Sequence, residues 1–412
     1  MAKITRISFI LFFGLAGAIS ADEPEVDIST ATRIQSDINT STETAVFPKL
    51  LWEKKLSKPI TSSAISKDGT KIAIADETGY LTLYNTKGEK LWDYRYKGKL
   101  PKRTYEFKSD KSDTALLNIQ FSSSGKFIVC DLGVLNTWEN LEGFEDFERY
   151  EPYKKLCFDS EGKLLWQTSR KGEHAIGGDS YVLIKPPFSP YYICGEGDCD
   201  PDVTTPSVTY YLLDMKGQVK FTGKADGDIR TTRGFSEDGK YVFVQNKIIE
   251  CANGHIVWEE LRGQFWEIYN TLVIYSGDVH DIVTRKELLR IKGYSNQVSL
   301  SNTHVASLGG DRGIETITVY EIKNSSLTWT YQYNIDNIPS QEKLFYLTKN
   351  GKHLLLGREK GMLFYDISGQ KVGELKVTAK VAWPQYFRYS ISENGEYVLI
   401  GHEKSIKLFK PF

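Results

Sequence analysis

Short, nearly continuous apolar runs return along the chain: KIAIAD from residue 71, KFIVCD from 126, SYVLIK from 180, KYVFVQ from 240, NTLVIYS from 270, THVASLG from 303, KHLLLG from 352 and EYVLIG from 396. A strand with one wet face alternates apolar and polar side chains, whereas runs this continuous belong to strands covered on both faces. Each is followed by a second strand-like run, from YLTLYN in the first unit to SIKLF in the last. In seven units a tight turn and a third run follow, among them KLWDYRY, LLWQTS, VKFTGK and IVWEEL. The third run missing after SIKLFKPF stands at the other end of the chain as LLWEKKL, residues 50–56. A strand shared between the two ends closes a ring of radial sheets.

Hairpin turns precede most of the apolar runs: SKDGTK (66–71), SSSGK (122–126), SEDGK (236–240), KNGK (349–352) and SENGE (392–396). Glycine there supplies the positive φ that a short β turn demands. Residues 47–412 divide into eight units averaging about 46 residues, the period of a four-stranded propeller blade. The pattern therefore predicts an all-β, eight-bladed β-propeller closed by an N-terminal strand in its last blade. The turns of 269–334 lack the Asp-Gly signature, which leaves seven blades as the alternative count. Trp52, Trp92, Trp166, Trp258 and Trp329 share one position of the third run, where packing between blades is the expected role.

Three of these hairpins, NTKGEKLW (85–92), DSEGKLLW (159–166) and ANGHIVW (252–258), resemble the outer hairpins of quinoprotein-like, WD40-like propeller repeats. That resemblance spans nearly all of the chain after its first residues and implies the propeller fold. The family includes pyrroloquinoline-quinone dehydrogenases and non-enzymatic envelope proteins. Its alcohol-oxidising members carry adjacent cysteines, which this chain lacks, so the resemblance implies a non-enzymatic member without the quinone.

Composition narrows the picture. The chain of 412 residues is 40% hydrophobic, 25% charged and 13% aromatic, a folded globular balance that favours strands. Residues 1–21 place Lys3 and Arg6 before the apolar run ISFILFFGLAGAI and end on small residues, the order of a secretory signal peptide, with a retained anchor as the alternative. Residues 22–46, rich in Ser, Thr, Asp and Glu, read as a polar leader, and 47–412 as the propeller. Export to a periplasmic or extracellular location is the expectation, with no membrane insertion after signal removal because no later apolar run is long enough. Loss of Lys3 and Arg6 moves the formal charge from −1 to −3, which carries no nucleic-acid footprint.

Candidate chemistry gathers in the insertions. Connections between the second and third strands of a blade, and between blades, share one face, and all the long ones (97–118, 134–153, 186–206, 335–343, 378–388) belong to that set. The insertion 134–153 combines Trp138, Phe144, Phe147, Tyr150 and Tyr153 with six carboxylates, anchors suited to a protein or glycan partner or to pinning the loop on its own blade. Lys102 and Arg103 lie in the basic connection 97–113, which complements the acidic insertion. Cys194 and Cys199 are close enough in sequence, around Gly195 and Gly197, for a local disulfide. Asp198, Asp200 and Asp202 alternate as in a calcium loop, with Val203 where that loop has glycine. Cys130 and Cys157 are read as cross-strand partners or buried free thiols, leaving Cys251 over. His174 is the best single candidate for catalysis, against a structural role, since no nucleophile, phosphate or metalloprotease motif occurs. Two functions follow: a non-catalytic exported propeller that binds a protein or glycan through its long connections, or an enzyme at the channel mouth, quinone-dependent or acting on sugars or sulfate esters.

Overall fold

The computed structural model describes residues 48–98, 112–138, 147–170, 172–185, 208–225, 234–244, 247–259, 265–275, 278–291, 297–311, 314–323, 326–334, 345–358, 361–376, 387–402 and 404–411. These form eight small antiparallel sheets arranged as an eight-bladed β-propeller, with no helix among the described residues. Blade 1 runs outward from Ile60–Ile65 through Lys71–Asp76 and Tyr80–Asn85 to Lys90–Arg95. The apolar runs of the sequence are thus the second strands, and the strand before each hairpin turn is the innermost one.

Alternation along the second strands builds the ring. In blade 1, Ile72 and Ile74 join Leu399, Ile406 and Leu408 of blade 8, while Ala73 and Ala75 join Leu116, Ile128 and Leu156 of blade 2. Eight such cores occur among the described residues, one at each blade junction. Burial on both faces explains why these runs are nearly continuous in apolar residues. It also settles the thiols: Cys130 packs toward blade 1 and Cys157 toward blade 3, so consecutive strand faces separate them and both are free.

Blade 8 takes Phe387–Ile391, Val398–His402 and Ser405–Lys410 from the C-terminal end and Lys49–Lys55 as its outermost strand, with Trp52 opposite Leu408. The region 269–334, where a seven-blade count was open, contains two complete blades, 265–290 and 297–334. Among the described residues blade 4 shows three strands, with a single bridge between Phe235 and Val242 in the innermost place.

The tryptophans dock one blade on the next. The indole Nε1 of Trp52 donates to Thr86 O, that of Trp92 to Ser160 O and that of Trp166 to Met215 O, each at 2.9–3.0 Å and each in the outer turn of the following blade. Gly88, Gly162 and Gly217 of those turns lie against the same indoles. The turns hold themselves in shape: Asp159 Oδ1 accepts from the amides of Glu161 and Lys163, and Asp214 repeats this with Lys216 and Gln218.

Candidate functional site

The inner hairpin turns project into the centre of the ring and meet there. In blade 1, Ser66 Oγ donates to Asp68 and accepts from the Lys71 amide, which fixes the turn and carries Lys67 at its tip. Glu237, Lys349 and Glu393 occupy the same place in blades 4, 7 and 8. Backbone bonds stitch the tips together: Glu393 N donates to Lys67 O and Lys349 N to Glu393 O, both at 2.9 Å. Ser123 Oγ of blade 2 reaches Glu237 O of blade 4 at 3.0 Å. Bonds between blades that are not neighbours mean that the tight-turn end of the central opening is spanned.

Beneath these tips lies a cavity of about 210 Å³, with Ile65, Phe235, Ile268 and Ile391 as apolar walls. Five charged side chains and two tyrosines enter it from five blades. Lys349 Nζ is fully engaged, 2.5 Å from Glu267 Oε1, 2.7 Å from Leu300 O and 4.6 Å above the Tyr269 ring. Lys67 Nζ is held more loosely, 3.5 Å from Glu237 and 3.7 Å from Glu393. Glu393 and Tyr269 are also among the groups that act on the Glu237 carboxyl. Burial, then Glu237, pushes Glu393 up to about 7. Burial also raises Glu237, but Glu393, Tyr269 and the Lys67 charge outweigh it and leave this carboxyl below its ordinary value. The pair therefore shares one proton near neutral pH.

On the opposite face, blade 2 departs from its neighbours. Its strands Ser112–Phe121, Phe127–Trp138 and Phe147–Asp159 continue past the outermost strand Leu164–Thr168, which pairs only as far as Lys155. The insertion at 134–153 is thus a β-hairpin rather than an irregular loop, laddered from Gly133 and Pro152 out to Trp138 and Phe147. Trp138 and Phe147 stand directly opposite each other and Tyr150 opposite Leu135, while Tyr153 is half-buried at the base. Phe144, Lys102, Arg103, Cys194, Cys199, Asp198, Asp200 and Asp202 lie outside the described residues.

His174 is buried at the junction of blades 2 and 3. Its Nδ1 is 2.8 Å from Asp131 Oδ1, and Lys155 Nζ is 2.6 Å from the same oxygen and bonds Gly172 O. Asn118 Nδ2 donates to the other Asp131 oxygen at 3.1 Å. Burial raises the Asp131 carboxyl, but His174 and Lys155 outweigh it and hold it below the usual range. With Asp131, Lys155 and His174 all enclosed, the cluster fastens two blades through the hydrogen bonds of His174 to Asp131 and of Lys155 to Gly172 O.

No family model matches the chain, and no curated protein matches it. Solved structures do. The structure of BamB from Moraxella catarrhalis is similar over 88% of this chain and 99% of that one, at 11% identity and a TM-score of 0.52. The C-terminal WD40 domain of Sif2 is similar over 88% and 98%, at 12% identity and a TM-score of 0.57. The likeness is one of fold. Both neighbours are β-propellers, so the closed wheel read from the repeat is matched by solved wheels of nearly the same extent.

The sequence reading did not bring the central cluster together. Lys67, Ser123, Glu237, Lys349 and Glu393 all occupy the position after the first residue of the inner turn. That shared register is the one signal they carry, and charges at such a position are equally ordinary on a solvent-exposed hairpin.

Proposed function

We propose that this chain is an exported, non-catalytic propeller that binds a protein or glycan partner through the face carrying its long connections. The observation that carries the reading is the projection of blade 2, whose hairpin extends the ladder from Gly133 to Trp138 beyond its own outermost strand. A hairpin that leaves the ring adds nothing to the inter-blade cores, so its length is spent on contacts outside the propeller. Trp138, Phe147 and Tyr150 sit on the projecting part, among Glu148, Glu151 and Arg149. Aromatic anchors among charges suit a binding surface. Export rests on the charged, apolar and small-residue order of residues 1–21.

Deleting residues 137–150 tests the assignment. The cut leaves Leu135 and Asn136 between the paired Val134 and Glu151, and changing them to Asn-Gly supplies a two-residue turn without altering register. Chemical cross-linking in the native envelope or medium, with protein and glycan products separated, should lose its product in the trimmed chain. An unchanged cross-linked product removes the hairpin from the function.

A further inference from the structure

The central cavity is a second site, independent of the partner face. Without the shared proton its charge does not close: among the described residues, Glu237, Glu267 and Glu393 face Lys67 and Lys349. Lys349 is committed to Glu267, to a carbonyl and to the Tyr269 ring. That leaves Lys67 shared between two carboxyls, at separations longer than a hydrogen bond. Glu237 Oε2 is buried with no hydrogen-bond partner among the described residues, an acceptor lacking a donor. The side chains of Lys67, Glu237 and Glu393 remain 32%, 22% and 22% exposed, so solvent reaches the pair. Below the charges, Ile65, Phe235, Ile268 and Ile391 offer walls for a short aliphatic chain.

We propose that this cavity binds a small aliphatic cation, a primary ammonium or guanidinium whose head lies on the Glu237 and Glu393 carboxyls and whose chain lies on the apolar walls. Once the shared proton has left, an anion would meet the surplus carboxylate, and a neutral polyol would leave that charge uncompensated. About seven waters' worth of room excludes a large ligand. Binding is an exchange: the carboxyl pair releases the proton it shares, and the ligand's positive charge takes that proton's place, so net charge in the cavity is conserved. Because the pair holds its proton up to about pH 7, the ligand competes with protons below that value and binds freely above it. Tyr269 and Tyr346, pushed above the ordinary phenol range by burial and the neighbouring carboxyls, stay neutral throughout.

The test is calorimetric titration of the full chain with butylamine and with an N-acetylated, C-amidated lysine tripeptide, which separates a free amine from a peptide side chain. Saturable binding of either probe is expected, about tenfold tighter at pH 8 than at pH 6. Near pH 6, heats should differ between buffers of different ionisation enthalpy by the release of close to one proton. Glu237→Gln should weaken binding about tenfold or more. Glu393→Gln should bind with no pH dependence. Two variants on different blades keep the test alive if one fails to fold, and butyrate is the anionic control. No saturable heat with either probe at pH 8, affinity that both variants leave unchanged, or equal binding of butyrate would overturn the proposal.

Discussion

At the scale of single residues, the fold depends on glycines pressed against the docking indoles. Gly162 has φ +88° and a Cβ built on it would stand 2.7 Å from the Trp92 ring. Gly254 holds a similar φ of +74° but would meet only Phe221 at 3.6 Å, an ordinary contact. Gly254→Ala should therefore cost about 1 kcal/mol, the strain of a left-handed backbone, and Gly162→Ala about 3 kcal/mol because the indole must also move. Urea denaturation midpoints of the two variants measure the difference. Glu393 offers a second test. Its folded pKa of about 7 lies above the ordinary 4.5, so the folded chain holds a proton that the unfolded chain has released. The stability this contributes is complete below about pH 4.5 and is lost as pH rises through about 7. Glu393→Gln should match the parent near pH 5 and exceed it by about 1 kcal/mol at pH 8, a figure reduced for partial exposure and for the opposite shift of Glu237. A flat difference across that range would mean that the carboxyls do not share a proton.

Elements repeat one design with local departures. The second strands are the best specified because both faces are covered, which makes nearly every central position apolar, with Asp131 and Ser307 as buried exceptions. The innermost strands were the least legible, since they are short and half of their side chains face the central opening. Ile60–Ile65 carries Thr61, Ser62 and Ser63 among its six residues, and Thr61 and Ser62 are buried. Two of those hydroxyls tie blade 1 to blade 2: Thr61 Oγ1 donates to Leu116 O at 2.6 Å, and Ser62 Oγ accepts from Ile119 N at 3.2 Å. The blade 2 insertion read as a loop because aromatic and acidic residues mask its alternation, whereas cross-strand pairing makes it a hairpin. Since the described inter-blade cores reach no further along these strands than Leu132 and Leu156, removing residues 137–150 with the Asn-Gly repair should shift the thermal midpoint by no more than about 2 °C. A large fall would make it a structural support for the ring.

For the molecule as a whole, closure is the deciding feature. The last blade is finished by Lys49–Lys55, with Glu53 opposite Lys407 and Ser405 Oγ donating to Glu53 at 2.9 Å. A disulfide between Glu53→Cys and Lys407→Cys joins the two ends of the wheel and closes a loop of more than three hundred residues. Oxidation should stabilise the chain by about 2–5 kcal/mol, read as the difference between oxidised and reduced denaturation midpoints. No difference would show that the terminal strand detaches without consequence for the remaining blades. Closure also defines the two faces. Inner-turn tips from several blades meet at one end and span the opening, so the cavity and its carboxyl pair exist only when the ring is shut.

The sequence by itself determined the blade and the closing strand, because both follow from local alternation, turn chemistry and a missing unit restored at the other end of the chain; the count of eight was settled against seven only by the two blades at 265–290 and 297–334. It also placed the tryptophans and the blade 2 insertion, since both recur or interrupt at fixed positions in the repeat. Only the tertiary structure decided which charged residues share a cavity. Lys67, Glu237, Lys349 and Glu393 are separated by up to hundreds of residues, and nothing local distinguishes a turn tip facing water from one facing the axis. Their proximity arises when the inter-blade cores bring eight similar hairpins around one centre, and burial there changes what an ordinary surface carboxyl does with its proton.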